Sequence, residues 1–414
     1  MDARGAFYFQ KVLAKHVQKT GRLGTLLRPP AWNRLSPKGR EGGIAILLDS
    51  APRSWMGQQE IHLRLSHILR SFGVSVVLVY ADLPPTIEHR LRDGGAAVER
   101  VSYAKGLSHY YRELGRIIRH YSVSLVHICY FDYFSSIPWL TRLQGIKHII
   151  YEELNSGMLH ARSWKKLLLR LRTSAMTFPM ARVIAVSEFV RQDCINRGIR
   201  GDRIVVRYLA ADEKVFRPNP TARALWANKY AIKPGELIMS SVTLLRPFKS
   251  PETLVHACQV LARRGILARL FVAGDGEMLP ALKQLSERLG VSDRIHWLGF
   301  CPEPSTLMQA SDIFLLASIE EAGAFVLSEA MLCGVPVIGS RSGVQPEYIQ
   351  DGITGLLATP RDPMSFADAI ETLAKNEPRR HSMALRSREI ALQRFTVDIH
   401  VAATLKIYES LLSG

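Results

Sequence analysis

The stretch of the chain that most constrains its fold begins at position 312 and reads DIFLLASIEEAGAFVLSEAMLCGVPVIG. The apolar run Ile313–Ala317 predicts a buried strand, and a helix is expected from about Phe325 to Cys333. Gly334 and Pro336 end that helix, because a C-terminal glycine followed by a proline is a typical stop signal. A second apolar strand is expected over Val335–Gly339. Since parallel strands require such a helical connection, the stretch predicts an α/β fold with a parallel sheet.

Two glutamates fall within this unit, Glu321 in the predicted loop and Glu329 inside the predicted helix. In an open parallel sheet, ligands bind beyond the carboxyl ends of the strands, where loops lead into helices. A helix that begins near Ala324 directs its free N–H groups and positive dipole end toward that edge, which favours phosphate binding. In that setting Glu329 is suited to a ribose diol and Glu321 to a sugar hydroxyl. The alternative interpretation is a solvated helix with two surface glutamates.

The same segment resembles the E-x7-E signature of retaining GT-B glycosyltransferases, above all family 4, the glycosyl transferases group 1. The residues that it shares with the signature are Glu321, Glu329, Ala330, Met331, Gly334, Pro336, Val337 and Ile338. Gly323 and Ala324 stand where the family usually has Phe-Gly. The resemblance implies two Rossmann-like, doubly wound parallel-sheet domains facing a central cleft. It also implies a transferase that uses a nucleotide-diphosphate sugar as its donor.

The loop LLRPFKS, at positions 244–250, resembles the family's phosphate-binding loop. Lys249 matches the lysine that neutralises the donor pyrophosphate, a task for a point charge. Leu244 stands at the family's arginine position, and Arg246, two residues later, is the candidate replacement. The resemblance thus implies Glu321 and Lys249 as catalytic residues. The implied donor-binding residues are Glu329, Arg246, Gly323, Ala324, Phe325 and, at the turn into the first helix, Gly57.

The chain contains no Asp-x-Asp sequence, the usual sign of a metal-bridged pyrophosphate. We therefore expect a transferase without a metal or other cofactor, in which Lys249, Arg246 and the helix N-terminus stabilise the departing diphosphate. The resemblance further implies attack on the same face of the sugar, with the leaving phosphate helping to deprotonate the acceptor. No protein nucleophile is then required.

The first half of the chain matches the family loosely, as expected of a domain that adapts to its acceptor. Asp132, Glu152 and Glu153 are candidate acceptor contacts that the sequence does not rank. His127 lies within an apolar run, where a core histidine is the more common finding than a catalytic one. Ser187 precedes a predicted helix and is interpreted as its N-cap.

With 414 residues the chain is long enough for two domains, each with its own core. We expect a basic extension and linker at 1–40, an N-terminal Rossmann-like acceptor domain at 41–217 and a C-terminal donor domain at 218–393. Residues 394–414 resemble the terminal helix that crosses back onto the first domain in this fold.

The net charge of +17 lies entirely in the first half of the chain. Residues 1–217 hold 34 Lys/Arg against 17 Asp/Glu, whereas residues 218–414 hold 20 of each, and the first 40 residues hold nine basic and one acidic residue. Such asymmetry indicates an anionic partner: a membrane surface, a phosphorylated acceptor or a nucleic acid. The basic segment Phe7–Val17 is compatible with a short amphipathic helix or with a tail. Trp164–Arg172 suits either an anionic bilayer or a packed helix with a solvated cationic face.

No uncharged apolar run approaches the length of a membrane span, and the five scattered cysteines suit a reducing compartment. We expect a cytoplasmic hexosyltransferase, peripheral on the inner face of the cytoplasmic membrane, that acts on a lipid-linked, lipopolysaccharide or polysaccharide acceptor. The alternatives are a nucleotide-sugar epimerase or phosphorylase on the same fold, or a catalytically silent partner protein. A nucleic-acid binder is disfavoured, because no aromatic-basic recognition module is present.

Overall fold

The computed structural model of the chain describes residues 42–50, 52, 57–131, 135–154 and 163–412, with the backbone alone at 163–167 and 169. The chain divides into two compact units. The first unit consists of the chain up to Tyr208 together with the segment that begins at Val397. The second unit spans Leu209–Thr396. The expectations for residues 1–40 and for Asp132 lie outside the described residues.

The first unit is built on a seven-stranded parallel sheet in the order β3-β2-β1-β4-β5-β6-β7. Its strands are β1 Gly43–Leu48, β2 Ser75–Tyr80, β3 Ala97–Arg100, β4 Val123–Cys129, β5 His148–Glu153, β6 Arg182–Ala185 and β7 Ile204–Val206. Its helices are α1 Gly57–Ser71, α2 Pro85–Asp93, α3 Leu107–His120, α4 Ile137–Leu143, α5 Ser163–Thr177 and α6 Glu188–Asn196. All six residues of β1, GIAILL, are buried, as expected of a central strand covered on both faces.

The second unit contains a six-stranded parallel sheet in the order β10-β9-β8-β11-β12-β13. Its strands are β8 Leu237–Val242, β9 Ala268–Ala273, β10 Ile295–Gly299, β11 Ile313–Leu316, β12 Val337–Ser340 and β13 Gly355–Ala358. Its helices are α7 Ala222–Tyr230, α8 Pro251–Arg263, α9 Leu279–Arg288, α10 Ser305–Ala310, α11 Phe325–Leu332, α12 Gln345–Tyr348, α13 Pro363–Ala374 and α14 Glu377–Arg394. Counted from its own first strand, this order is the doubly wound order of dinucleotide-binding folds. The fold class predicted from the sequence, two Rossmann-like parallel-sheet domains, is therefore confirmed.

The strand–loop–helix–strand segment that begins at position 312 has the predicted element order, β11–α11–β12. The helix ends at Leu332, because Gly334 adopts a left-handed backbone with φ of 72°. Its N–H donates to the carbonyl of Met331 and the next N–H, of Val335, donates to that of Ala330, at 3.0 and 3.1 Å. This pair of bonds is the Schellman arrangement that closes a helix and turns the chain away from its axis.

The structure divides the chain at 208/209, rather than at the predicted 217/218. The residues in between are bound to the second unit over a long sequence distance. The N–H of Ala211 donates to the carbonyl of Phe395 at 2.9 Å, and the side-chain amide of Gln309 donates to the carbonyl of Val215 at 3.2 Å. The second division lies at 396/397 rather than 393/394.

The terminal helix α15, Val397–Leu412, packs against α1 and belongs to the first unit. Asp398 at its start pairs with Arg64 of α1 at 3.0 Å. Further along, Thr404 accepts a hydrogen bond from Arg207 at 2.7 Å. None of the helices in the described ranges has the length and apolar composition needed to cross a bilayer.

A buried ion pair lies beneath α15. Arg207 Nη2 is 2.5 Å from Glu152 Oε1, and both side chains are at most 7% exposed. Burial is the largest single effect and favours the neutral carboxyl group, but the guanidinium of Arg207, together with His127 and His400, outweighs it and holds the pKa of Glu152 well below its usual range. The pair therefore stays charged inside the first unit.

We predict that Arg207→Ala lowers the free energy of unfolding by roughly 3–5 kcal/mol, because it leaves the Glu152 carboxylate buried without its partner. Arg200→Ala is the matched control. Arg200 also pairs with a carboxylate, that of Asp202, but both groups are exposed, so the stability should remain essentially unchanged. Urea unfolding followed by circular dichroism measures the difference. Equal unfolding midpoints for the two variants would contradict the prediction.

Candidate active site

The loops that follow the two central strands of the second sheet carry the candidate catalytic residues. The strand order reverses between β8 and β11, and at such a switch point the neighbouring loops diverge and leave a crevice for a ligand. Lys249 lies in the loop after β8 and Glu321 in the loop after β11. The topology thus brings together two residues that are 72 positions apart in the sequence.

Lys249 and Glu321 form a partly buried ion pair. The ammonium nitrogen lies 2.8 and 2.5 Å from the two carboxylate oxygens, and the side chains are 14% and 10% exposed. The ammonium group also lies 5.0 Å from the centre of the Phe248 ring, a cation–π contact. The carbonyl of Phe248 accepts a hydrogen bond from the N–H of Ile319 at 2.9 Å, which ties the two loops together.

The backbone of Glu321 is held by the loop that follows β12. The N–H of Val344 donates to the carbonyl of Glu321 at 2.9 Å. Gly343, with φ of 56°, approaches so closely that a Cβ there would lie 2.7 Å from the same carbonyl oxygen. Only glycine fits this position without displacing the loop.

Gln345 joins the ends of β11 and β12 in the same region. Its amide nitrogen donates to the carbonyl of Ser318 at 2.7 Å, and its amide oxygen accepts from the N–H of Ser340 at 2.8 Å. The sequence analysis missed Gly343 and Gln345 as supports of the site. The available signal was that positions 341–347 follow the strand next to β11 and so reach the same edge of the sheet.

Glu329 lies on α11, about one turn from Ala324, and is 8% exposed. Burial alone raises the pKa of its carboxyl group to about 7. Buried polar groups in proteins are almost always hydrogen-bonded, yet no partner for this carboxyl group is found in the part of the chain that the structure describes. A ligand that brings hydroxyl groups would satisfy it.

The N-terminus of α11 lies between the two glutamates in sequence. Ala324 occupies the N-cap position without a side-chain hydrogen bond to the helix. The first N–H groups of a helix have no partner within the helix itself. Gly323, Ala324 and Phe325 thus present backbone donors of the kind that bind phosphate, and their role in donor binding stays a prediction.

Of the two remaining predicted donor residues, one lies in the same loop as Lys249 and the other in the first unit. Arg246 is exposed and immediately precedes the short 3₁₀ turn Pro247–Lys249; its carbonyl accepts the N–H of Lys249 at 2.9 Å. Gly57 is the first residue of α1 and belongs to the first unit. The role of both residues in donor binding stays a prediction.

The candidate acceptor residues Glu152 and Glu153 are buried in ion pairs instead. Glu152 pairs with Arg207 as described above, and a carboxylate oxygen of Glu153 lies 3.3 Å from Arg197. These partners engage both carboxylates inside the first unit. Ser187, in contrast, caps α6 as predicted and accepts the N–H of Val190 at 3.1 Å.

His127, Cys129 and Glu152 place one nitrogen, one sulfur and one oxygen within 4.8 Å of one another. Burial lowers the pKa of His127, whose Nδ1 lies 2.8 Å from the hydroxyl of Tyr408. Burial, reinforced by the nearby Glu152 charge, raises the pKa of the Cys129 thiol well above its usual value. Because the thiol is neutral and Arg207 balances Glu152, the cluster fits a polar network in the core, in line with the core interpretation of His127.

Residues 222–390 match the family model described as Glycosyl transferases group 1, and residues 57–210 match the Glycosyl transferase 4-like domain. Among curated relatives, the N-acetyl-alpha-D-glucosaminyl L-malate synthase of Bacillus anthracis is 33% identical over 205 residues, which are 50% of this chain and 53% of the relative. The D-inositol 3-phosphate glycosyltransferase of Nocardia farcinica is 30% identical over 268 residues, 61% of this chain and 59% of the relative. The chain thus spans between about half and three-fifths of the length of these relatives.

Solved structures share the fold over nearly the whole chain. Anabaena HepE, crystallised with UDP and glucose, has a TM-score of 0.75 at 21% identity and covers 90% of this chain and 100% of its own. WaaG, a glycosyltransferase involved in lipopolysaccharide biosynthesis, has a TM-score of 0.66 at 17% identity with the same coverage. The first family-model match lies within the second unit, and the other lies in the first unit except for its last two residues. The chain therefore has the GT-B fold, with a domain that matches the glycosyl transferases group 1 model in its second unit and one that matches the glycosyl transferase 4-like model in its first.

Proposed function

We propose that the protein is a retaining, metal-independent glycosyltransferase. It transfers a sugar from a nucleotide-diphosphate sugar to a lipid-linked, lipopolysaccharide or polysaccharide acceptor. The observation that carries the proposal is the Lys249–Glu321 pair at the switch point of the second sheet. Support comes from HepE, whose structure contains UDP and glucose, and from WaaG, which takes part in lipopolysaccharide biosynthesis.

In this proposal Lys249 binds the donor pyrophosphate. An ammonium group has three N–H donors, so a phosphate oxygen can join the carboxylate of Glu321 around the same nitrogen. Arg246 and the N-terminus of α11 add positive charge and backbone donors. Together they stabilise the charge that grows on the leaving diphosphate as the bond to the sugar breaks.

Glu321 orients the sugar in the proposed reaction. Its carboxylate accepts hydrogen bonds from sugar hydroxyls while the backbone bond to Val344 holds the loop in place. The bond between the anomeric carbon and the phosphate oxygen breaks, and the acceptor oxygen forms its bond on the same face. The acceptor proton passes to the departing phosphate, so the products are a glycoside and a nucleoside diphosphate.

Glu329 binds the ribose of the donor. A ribose diol offers two hydroxyl donors to one carboxylate, and charge-assisted hydrogen bonds of this kind are stronger than neutral ones. The bound diol therefore favours the ionised carboxyl group and offsets the burial that raises its pKa to about 7 in the protein alone.

The proposed function is tested first by ligand-dependent stability and then by turnover. Thermal unfolding in the presence of UDP, GDP, ADP or CDP identifies the nucleotide, since a ligand that binds the folded state raises the unfolding temperature. Release of that nucleotide from its sugar conjugates is then measured with and without added acceptor. Acceptor-dependent release supports a transferase. Interconversion of the sugar without acceptor would indicate an epimerase, and binding without any turnover would indicate a silent partner protein.

We predict that Lys249→Ala weakens binding of the nucleoside diphosphate at least about tenfold, because a charge-assisted contact is lost. Glu321→Gln should retain nucleotide binding but lose turnover, because the carboxylate of Glu321 orients the sugar in the proposed reaction. Lys283→Ala, an exposed lysine of α9, is the control for general loss of charge. Isothermal titration calorimetry and nucleotide release measure the two effects. Wild-type affinity in Lys249→Ala would remove the donor-site assignment.

A second prediction concerns the pH dependence set by Glu329, whose pKa is raised to about 7 in the fold from an ordinary value of 4.5. The carboxyl group ionises at a lower pH in the unfolded chain than in the fold. The free energy of unfolding therefore falls as the pH rises from about 4.5 to about 7, and Glu329 does not change it further above that range. Glu329→Gln should therefore melt at a higher temperature than wild type at pH 8, with most of the gain lost at pH 5.

Donor binding should change in the opposite sense. Wild-type affinity should rise with pH through about 7 as the carboxyl group ionises, whereas Glu329→Gln should bind weakly at every pH. Glu287→Gln, an exposed glutamate of α9, should match wild type in both measurements. A Glu329→Gln variant that binds donor like wild type and shows no gain in melting temperature at pH 8 would disprove this role.

We further predict that transfer activity persists in excess EDTA, because Lys249, Arg246 and the helix N-terminus supply the positive charge in the proposed mechanism. Nucleotide release before and after chelation is the measurement. Complete loss of activity that magnesium restores would contradict metal independence and leave the donor-site residues to be reassigned.

A further inference from the structure

Five exposed apolar side chains of the first unit lie on α4, on α5 and directly after α5. They are Trp139 (37% exposed), Leu143 (68%), Leu168 (58%), Leu171 (61%) and Phe178 (69%). On each helix the members are three, four or seven positions apart, so they share one face. Thr173 and Thr177 turn the opposite face of α5 into the protein. We call these five residues the α4–α5 apolar stripe.

Two contacts join the halves of the stripe. The indole N–H of Trp139 donates to the carbonyl of Ala175 in the last turn of α5, at 3.2 Å. The rings of Trp139 and Phe178 are stacked, with centroids 6.1 Å apart and planes 14° from parallel. An aromatic pair held in this way keeps its shape while both rings remain open to solvent. It is therefore a fixed apolar ridge rather than a set of scattered surface residues.

The segments of the chain that carry the stripe are basic. No Asp or Glu occurs at positions 133–151 or 154–187. Arg142 and Lys147, at and after the end of α4, are exposed, and both lower the pKa of His148, whose burial has the larger effect. Arg170 on α5 is also exposed and is fixed by a bond from its Nε to the carbonyl of Asn196 at 3.1 Å. An occupant of this surface must be apolar where it meets the stripe and anionic around it.

We propose that the α4–α5 apolar stripe inserts into an anionic lipid bilayer. Tryptophan is enriched where apolar chains meet polar headgroups, since one end of the ring system is apolar and the N–H is polar. Basic residues near such a surface are attracted to anionic lipids over about a Debye length. The basic N-terminal segment, with nine Lys/Arg and one acidic residue in 40, carries the same sign of charge as this surface. A second copy of the same surface is basic as well. Because like charges repel, the N-terminal segment and a second copy are both disfavoured as occupants.

The inference deepens the proposed function, because a lipid-linked acceptor is reached from the membrane, but the stripe belongs to the first unit, whereas Lys249, Glu321 and Glu329 belong to the second. Donor binding and vesicle binding therefore fail independently. If the protein binds vesicles but turns over no nucleotide sugar, the membrane surface is supported and the proposed transferase activity is contradicted. If the protein transfers sugar but does not bind vesicles, the proposed function is supported and the membrane surface is contradicted.

The test is co-sedimentation of the full chain with vesicles of phosphatidylcholine, alone or mixed with phosphatidylglycerol. We expect binding to the mixed vesicles that weakens with added salt. Trp139→Ser/Phe178→Ser should lower the partition coefficient at least about tenfold, because the apolar area that enters the bilayer is lost. Leu225→Ser/Leu385→Ser is the matched control: both leucines are more than 60% exposed, at 64% and 61%, but lie in the second unit, and the variant should bind like wild type.

Two further variants separate insertion from simple charge attraction. Arg142→Glu/Lys147→Glu should weaken binding to the mixed vesicles and reduce its salt dependence, whereas the exposed pair Lys283→Glu/Arg288→Glu on α9 should have a smaller effect. Lipids brominated in their acyl chains should quench part of the wild-type tryptophan fluorescence, and Trp139→Phe should lose that part. Thermal unfolding and nucleotide binding of each variant verify that it is folded.

Three results would overturn the proposal. The first is a Trp139→Ser/Phe178→Ser variant that binds vesicles as tightly as wild type. The second is an equal loss in the leucine control, which would show that any exposed apolar residue has the same effect. The third is a change in oligomeric state, measured by light scattering, in the aromatic variant but not in its control, which would assign the stripe to an interface between copies of the chain.

Discussion

The ion pair between Lys249 and Glu321 depends on β8 and β11 being neighbours at the centre of the second sheet. Their pairing starts with Ile313 beside Met239, so the loops that follow both strands begin at the same edge. A pair of charges taken partly out of water gains little net stability, because the loss of hydration offsets much of the attraction. The same two charges suit a ligand with a diphosphate at one end and hydroxyl groups at the other. The pair is therefore better explained by binding than by stability.

Several elements of both units were predictable because their signals are local. The apolar run of β11, the glycine that closes α11 and Ser187 as the cap of α6 all act within a few residues of their own position. Lys249 and Glu321 were recognised from the pattern of a known family, each in its own loop. That they contact each other was not predictable, since the contact requires the strand order, which pairs β11 with β8 across three intervening helices.

The features that were missed depend on partners distant in the sequence. Glu152 and Glu153 are the last two residues of β5, and only the folded sheet brings Arg207 and Arg197 to them. The domain division was predicted at 217/218, whereas the structure divides the chain at 208/209. In the fold the N–H of Ala211 donates to the carbonyl of Phe395. Neither of these segments carries a sequence signal for a pairing over such a distance.

The return of α15 to the first unit reverses the expected order of events during synthesis. The second unit is complete once Thr396 has been made, whereas the first still lacks the helix that carries Thr404 and Tyr408. Until that helix arrives, Arg207 and His127 lack two of the partners that they have in the finished protein. Domains of large proteins generally fold as units while the chain emerges from the ribosome. In this chain the unit that is started first is finished last, so Arg207 and His127 go without these two partners for the whole time that the second unit takes to be made.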